Sequence, residues 1–386
     1  MRVAHVVSSF PPASYHGGPI QSTFGLCRAL ARLGCEVRVW TTNTDGPGRR
    51  IDVPLRQDVE LEDRFTVRYY PTLTDRTFAP RLLLELRRLV DWCDVVHVTG
   101  IYEHHTIPAL ALCKLTDRAL VWSARGALQR WEHVRRVRLK ATWELACHVA
   151  VPNHCVLHVT SDQEARDSRK RFPNLDTAIL PNGVEIPELP IEGEDHNSRG
   201  TFHLVALGRL DPIKGLERLL EAGQILNQGN FGPWRLTIAG DGPQQYREAL
   251  EAEAAHRGLD HHVTFVGHVS GLNKSRLLRS ADAVVVPSYL ENFGIVIAEA
   301  LAHARPVIAS TGTPWEALET NQCGRWVPND PHSLADAIRA LRRHDLVAMG
   351  QRGRDWMQRA FTWHVVAQRM LDVYRSVRCS AEAQRA

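Results

Sequence analysis

The amino-acid sequence predicts an α/β protein built from two doubly wound parallel-sheet domains facing a central cleft. Three observations carry that expectation. Apolar runs of strand length alternate with amphipathic patterns of helix length, the grammar of parallel strands covered on both faces. The alternation stops once, across residues 180–200, in a stretch rich in Pro, Gly and acidic residues, and then resumes. A length of 386 residues argues for two or three domains, and a composition of 44% hydrophobic and 23% charged residues is that of a globular protein with large cores.

The first domain, residues 1–183, opens with an apolar run at 2–7, a Gly/Pro loop at 8–19, a helical pattern at 21–32, Gly34 and a second apolar run at 37–40, which together make a βαβ unit. Further strands are expected at 94–99, 119–123, 149–151 and 157–160, with a helical segment at 81–90. In the second domain, residues 184–361, strands at 202–207, 234–239, 263–266, 283–286, 306–309 and 325–327 alternate with helices. Residues 362–386, helical by pattern over 363–377, are expected to cross back to the first domain.

Charge and cysteine usage exclude several classes. With 47 basic and 43 acidic residues the net charge is +4, too small to make nucleic acid the partner. Eight scattered cysteines without a C-x-x-C pair argue against a zinc site or a disulfide framework and for a reducing compartment. The N-terminal apolar run is too short for a secretory signal and no stretch reaches about 18 uninterrupted apolar residues. The expectation is a cytoplasmic protein, soluble or peripheral on the cytoplasmic membrane face.

Ligand sites in open parallel sheets lie at the carboxyl ends of the strands. After the strand at 202–207 comes Gly208-Arg209-Leu210-Asp211-Pro212-Ile213-Lys214-Gly215. Arg209 and Lys214 bracket a strand-to-helix turn whose free amides already favour an anion, so two cations there would complete a pyrophosphate clamp. The plainer alternative is two exposed charges on a turn. Only five basic residues are lysines (Lys114, Lys140, Lys170, Lys214 and Lys274), which makes Lys214 more informative. After the strand at 283–286, Glu291 lies in a loop and Glu299 eight residues on, in the next helix, with Asn292-Phe293-Gly294-Ile295 between them. Carboxylates spread along a helix can accept hydroxyls from two parts of one elongated ligand, while amides at the helix start face negative charge. Standing alone, Glu299 would read as a helix-surface acid.

These two segments resemble the retaining glycosyltransferases of the two-Rossmann (GT-B) type, family 4, including members that build cell-envelope and exopolysaccharides. Ala239-Gly240-Asp241-Gly242-Pro243, Phe265-Val266-Gly267-His268 and the N-terminal Gly17-Gly18-Pro19 extend the likeness over nearly the whole chain. The resemblance implies transfer of a sugar from a UDP- or GDP-linked donor to a glycan or polyprenyl-linked acceptor, in polysaccharide or lipopolysaccharide biosynthesis. It implies a catalytic set of Glu291, Arg209 and Lys214, in which the two cations hold the diphosphate and Glu291 contacts the donor sugar. Glu299 takes the ribose hydroxyls. Asn292, Phe293, Gly294 and Ile295 contact sugar or phosphate, Gly240, Gly267 and His268 border the nucleotide, and Gly17 and Gly18 let the first loop approach the diphosphate, since a backbone amide reaches a phosphate where no Cβ intervenes.

One departure lies in the first domain. Many members of the family it resembles carry a histidine near the end of the strand at 94–99, often two residues after His97, where this chain has Thr99. His97, His104 and His105 are candidates to replace it, with His97 otherwise a core residue. Arg125, after the strand at 119–123, is a candidate for an acceptor or donor phosphate. The segment 123–131, leading into 132–145, places Leu128, Trp131, Val134 and Ala141 at helical spacing beside Arg130, Arg135, Arg136, Arg138 and Lys140. It reads either as a basic amphipathic helix able to touch an anionic membrane or as a solvated arginine face over a buried stripe. No D-x-D follows a strand, and the acidic cluster at 58–63 falls in a connecting region, so no metal and no other cofactor is expected. Two rivals share this architecture: a nucleotide-sugar epimerase and a non-catalytic nucleotide-sugar-binding protein.

Overall fold

The computed structural model describes residues 1–15, 17–73, 77–129, 137–188, 200–229 and 231–385. The chain divides into two compact units, Met1–Gly183 with Trp363–Ala386, and Val184–Thr362. The sequence places the last boundary one residue earlier, at 361.

The first unit contains β1 (Arg2–Val6), α1 (Gly18–Arg32), β2 (Glu36–Thr42), β3 (Asp58–Glu62), β4 (Phe65–Tyr70), α2 (Pro80–Trp92), β5 (Val95–Thr99), α3 (Thr106–Leu115), β6 (Ala119–Ser123), α4 (Val137–Ala150), β7 (Cys155–Val159), α5 (Asp162–Arg171) and β8 (Asp176–Ile179). Its eight-stranded sheet runs β3-β4-β2-β1-β5-β6-β7-β8, and β3 is antiparallel to β4 while the other pairs are parallel. β5 and β6 are buried at every residue, as a strand covered on both faces requires. Side-chain capping starts α5, where Ser161 Oγ accepts from the Glu164 amide.

The second unit contains β9 (Phe202–Leu207), a 3₁₀ turn (Pro212–Lys214), α6 (Leu216–Gln228), β10 (Trp234–Ala239), α7 (Gln244–His256), β11 (Val263–Gly267), α8 (Gly271–Ser280), β12 (Ala283–Val286), α9 (Ile295–Ala302), β13 (Val307–Ser310), α10 (Ala317–Thr320), β14 (Gly324–Val327), α11 (Pro331–Leu341) and α12 (Leu346–Ala360). Its six strands run in the order β11-β10-β9-β12-β13-β14, all parallel.

The last helix, α13 (Trp363–Arg385), belongs to the first unit and packs on α1 and β6. Ala367, Met370, Tyr374, Val377 and Ala381 repeat every three or four residues and are all buried in that core. At its start the Trp363 indole lies where a Cβ on Gly25 or Gly183 would collide with it, so glycine at both positions lets the chain return.

Three expectations need correction. Residues 149–150 end α4 rather than forming a strand: the Val151 amide bonds the Cys147 carbonyl and Val149 is exposed. The acidic cluster at 58–63 contains the edge strand β3, where Asp58 pairs with Arg68 and Glu62 with Arg32; charged residues suit an edge open to water. Ala141 lies on the exposed side of α4 rather than in a buried stripe with Leu128, which is buried. Arg130, Trp131, Val134, Arg135 and Arg136 lie outside the described residues.

Candidate active site

The site residues of the second unit gather at the carboxyl ends of β9, β10, β11 and β12. Asp211 caps the turn after β9 by accepting from the Ile213 amide, and Gly215, left-handed at φ 62°, starts α6. A Cβ on Gly215 would strike the Pro287 carbonyl, so the turn lies directly on the loop that leaves β12. The Tyr289 amide donates to the Ile213 carbonyl across that contact at 2.8 Å.

Two loops joined in this way bring Lys214 and Glu291 together. Lys214 Nζ donates to Glu291 Oε1 at 2.5 Å, and Ser288 Oγ donates to the same oxygen at 2.9 Å. Arg209 is far more open, with 62% of its side chain exposed and Asp211 at 3.8 Å. Two cations and two acids thus sit around one turn, near charge balance.

Beyond Glu291 and the half-buried Asn292, Phe293 turns inward against Trp315, whose indole N–H donates to the Phe293 carbonyl. Phe293 therefore anchors the loop by its ring. Gly294, at φ 74°, starts α9 at Ile295 and leaves the first amides of the helix without intrahelical partners. Glu299, one turn further, accepts from Lys274 Nζ at 2.5 Å through Oε1, while its buried Oε2 has no hydrogen-bond partner. Sequence reasoning missed Lys274; the scarcity of lysine was the one signal that could have found it. Gly240 bonds the Gly267 carbonyl through its amide at 2.7 Å, and a Cβ on Gly240 would collide with the Gly208 carbonyl. His268 is exposed in the loop that leads to α8.

Gly17 and Gly18 lie in the first unit at the start of α1, with Gly17 at φ 56°. His97 is fully buried on β5, bonded to Tyr374 and Ser123, each at 2.6 Å, as a core residue would be. The order of donors is fixed from one end. His158 Nε2–H donates to the Leu180 carbonyl, so its Nδ1 accepts from Ser123, Ser123 accepts from His97 Nε2–H, and His97 Nδ1 accepts from the Tyr374 hydroxyl. Tyr374 in turn accepts from His5 Nε2–H at 3.3 Å. Burial keeps all three imidazoles neutral, lowering His5 and His158 to about 3 and His97 well below the ordinary value.

Thr99 is buried with an unpartnered hydroxyl, and His105 is buried and bonded to the Thr99 carbonyl at 3.2 Å. The two nitrogens of His104 are buried without partners. Burial lowers His104 and His105 to about 4. Arg125 is half-buried, and its Nη1 donates to Asn182 at 2.5 Å. Glu103 was not anticipated. It accepts from Ser8 at 2.5 Å and from Thr77 at 3.2 Å, joining the loops that follow β1, β4 and β5.

Comparison with known proteins adds to this geometry. Residues 16–187 match the family described as glycosyltransferase family 4, and residues 201–344 match glycosyl transferases group 1. An uncharacterized glycosyltransferase of Methanocaldococcus jannaschii is 34% identical over 360 residues, covering 87% of each chain. Sucrose-phosphate synthase from Thermosynechococcus elongatus superposes over 98% of this chain and 100% of its own, with TM-score 0.75 and 22% identity. Anabaena HepE, solved in complex with UDP and glucose, superposes over 97% of this chain and 100% of its own, with TM-score 0.70 and 17% identity. The two parallel-sheet units are those of the GT-B fold.

Proposed function

We propose that this chain, which belongs to the group 1 glycosyltransferases, moves a sugar from a UDP- or GDP-linked donor to a glycan or lipid-linked acceptor with retention at the anomeric carbon, in polysaccharide assembly. The observation that carries the donor reading is the Lys214–Glu291 contact at the end of β12, with Arg209 open beside it. A phosphate-binding cation and a hydroxyl-accepting acid in contact suit a ligand that joins a diphosphate to a sugar. The bound UDP and glucose of HepE support the same class of donor.

In this reading Arg209, Lys214 and the first amides of α9 take up negative charge as the bond from sugar to phosphate lengthens, which is electrostatic stabilisation of the leaving group. Glu291 orients the sugar and Glu299 holds the ribose. The sequence offers no nucleophile flanked by a base, so a leaving-phosphate oxygen removes the proton of the acceptor hydroxyl on the same face, and retention follows. The first unit supplies the acceptor side, with Glu103, Thr99 and Arg125 as its polar groups at the strand ends. Charge neutralisation by two side chains makes a metal unnecessary, so activity should persist in EDTA; loss that Mg²⁺ restores would refute this part.

Among the described residues no helix is long and apolar enough to cross a membrane. We propose peripheral contact through α4, whose exposed face carries Val137, Ala141, Leu145 and Val149 at every fourth position, with Arg138 exposed beside them. Co-sedimentation with vesicles containing anionic lipid, lost in Leu145→Glu, tests it; equal pelleting of the variant would sink it.

The donor assignment is tested by thermal shift against UDP, GDP, ADP and their sugars, since a ligand of the native state raises its melting temperature. One nucleotide should do so in the native protein and fail to in Arg209→Ala and in Lys214→Met. An undiminished shift in both variants would place the diphosphate elsewhere.

A further inference from the structure

We propose that Lys274 is a positioning residue for nucleoside recognition, holding the Glu299 carboxylate in the orientation that selects a ribose over a deoxyribose. The proposal rests on the reading that Glu299 takes the ribose hydroxyls. Lys274 is the fourth residue of α8, the helix entered from the β11 loop that carries Gly267 and His268. Its ammonium reaches across to α9 and donates to Glu299 Oε1 at 2.5 Å, with the two side chains 30% and 19% exposed.

The choice of lysine is informative in a chain that uses arginine for 42 of its 47 basic residues. A guanidinium pairs with a carboxylate through two parallel hydrogen bonds and occupies both oxygens. An ammonium is a point donor. Here it takes Oε1 alone, and Oε2 stays without a hydrogen bond although it is buried. An ionised carboxylate has about four acceptor positions, so one fixed by Lys274 leaves the others for ligand hydroxyls, in a plane already set.

Lys274 is also not needed to hold the two helices together. The adjacent residue does that: Ser275 Oγ donates to His303 Nε2 at 2.9 Å, and His303 Nδ1–H donates to the Glu299 carbonyl at 2.7 Å. The tether uses the backbone of Glu299, whereas Lys274 addresses its side chain. Orientation of the acid is what remains for the lysine to do.

The test measures binding of the nucleoside diphosphate selected by thermal shift and of its 2′-deoxy and 3′-deoxy counterparts, by calorimetry. The native protein should prefer the ribonucleotide over at least one deoxy form by about tenfold or more, the usual worth of a hydrogen bond to a charged group. In Lys274→Met the preference should fall to within about twofold. Lys274→Arg keeps the charge and the bridge, and by the two-oxygen argument it should also lose the preference while melting like the native protein. Ribo- and deoxyribonucleotide affinities that weaken in parallel, with their ratio intact, would make Lys274 a mere bridge and overturn the proposal. A native protein that ignores the ribose hydroxyls, or a Glu299→Gln variant that still discriminates, would instead remove the ribose reading itself, and the proposal with it.

Discussion

Glu291→Gln should separate two properties that usually fall together, transfer and affinity for the departing diphosphate. The substitution keeps the shape of the side chain and an oxygen that can accept from Lys214 and Ser288, but it removes the charge 2.5 Å from the Lys214 ammonium. Arg209 and Lys214 face Asp211 and Glu291, so positive and negative charges cancel among these four side chains. With the acid neutralised the turn carries one net positive charge. Two unit charges about 4 Å apart at an effective dielectric constant of about 20 attract by about 4 kcal/mol. The Lys214 and Glu291 side chains are 24% and 14% exposed, so solvent screening and desolvation reduce the net to about 1 kcal/mol. Isothermal titration should therefore show the nucleoside diphosphate binding about fivefold tighter to the variant. The nucleotide sugar should gain less, because it loses its hydroxyl acceptor, and turnover should drop about a hundredfold or more. A diphosphate that bound more weakly to Glu291→Gln, in step with lost transfer, would refute the idea that acid and phosphate compete for Lys214.

Other outcomes follow from particular contacts. Gly240→Ala sets a methyl group against the Gly208 carbonyl at φ 146° and should cost about 2–4 kcal/mol by denaturant melting, with the donor shift lost as the strand ends part. Tyr374→Phe removes the donor to His97 and the acceptor for His5. It should cost about 1–3 kcal/mol of stability and leave nucleotide affinity unchanged; altered affinity would mean that this network reaches the donor. His5 and His158 are lowered to about 3 in the folded chain against an ordinary value of 6.5, so between those limits the unfolded chain binds more protons. Their neutral burial costs no stability above about pH 6.5, and stability is lost progressively as the pH falls from there towards 3. Melting temperature should hold level above neutrality and decline below pH 6; a rise on acidification would contradict the sign.

Much of this architecture was legible because burial on both faces leaves continuous apolar runs. The strands at 202–207, 234–239 and 283–286 have the bounds that their apolar runs suggest. Where burial is one-sided the signal fades. β3 alternates acids with Val59 and Leu61 and looks like a loop, whereas the 149–151 stretch mimics a strand because Val149 and Val151 flank Ala150, the last residue of a helix. Glu291 and Lys214 could be singled out in the sequence because each lies in a loop or turn that leaves a parallel strand. Lys274 could not: its meaning depends on a partner 25 residues away on another helix. Nothing in the sequence periodicity shows that His97 is a buried, fully paired ring, because its partners Ser123 and Tyr374 come from distant elements.

The path of the chain has a practical consequence. It leaves the first unit after Gly183 and re-enters at Trp363, and Gly183 lies against the Trp363 ring; on the other side of that junction Val184 and Thr362 form a β-bridge. Residues 184–362 are thus an insert whose two ends leave from one spot, with α13 remaining as native packing for the host. Because Gly183 and Trp363 lie against each other, a short glycine linker joining 183 to 363 would span almost no distance and could replace the whole insert.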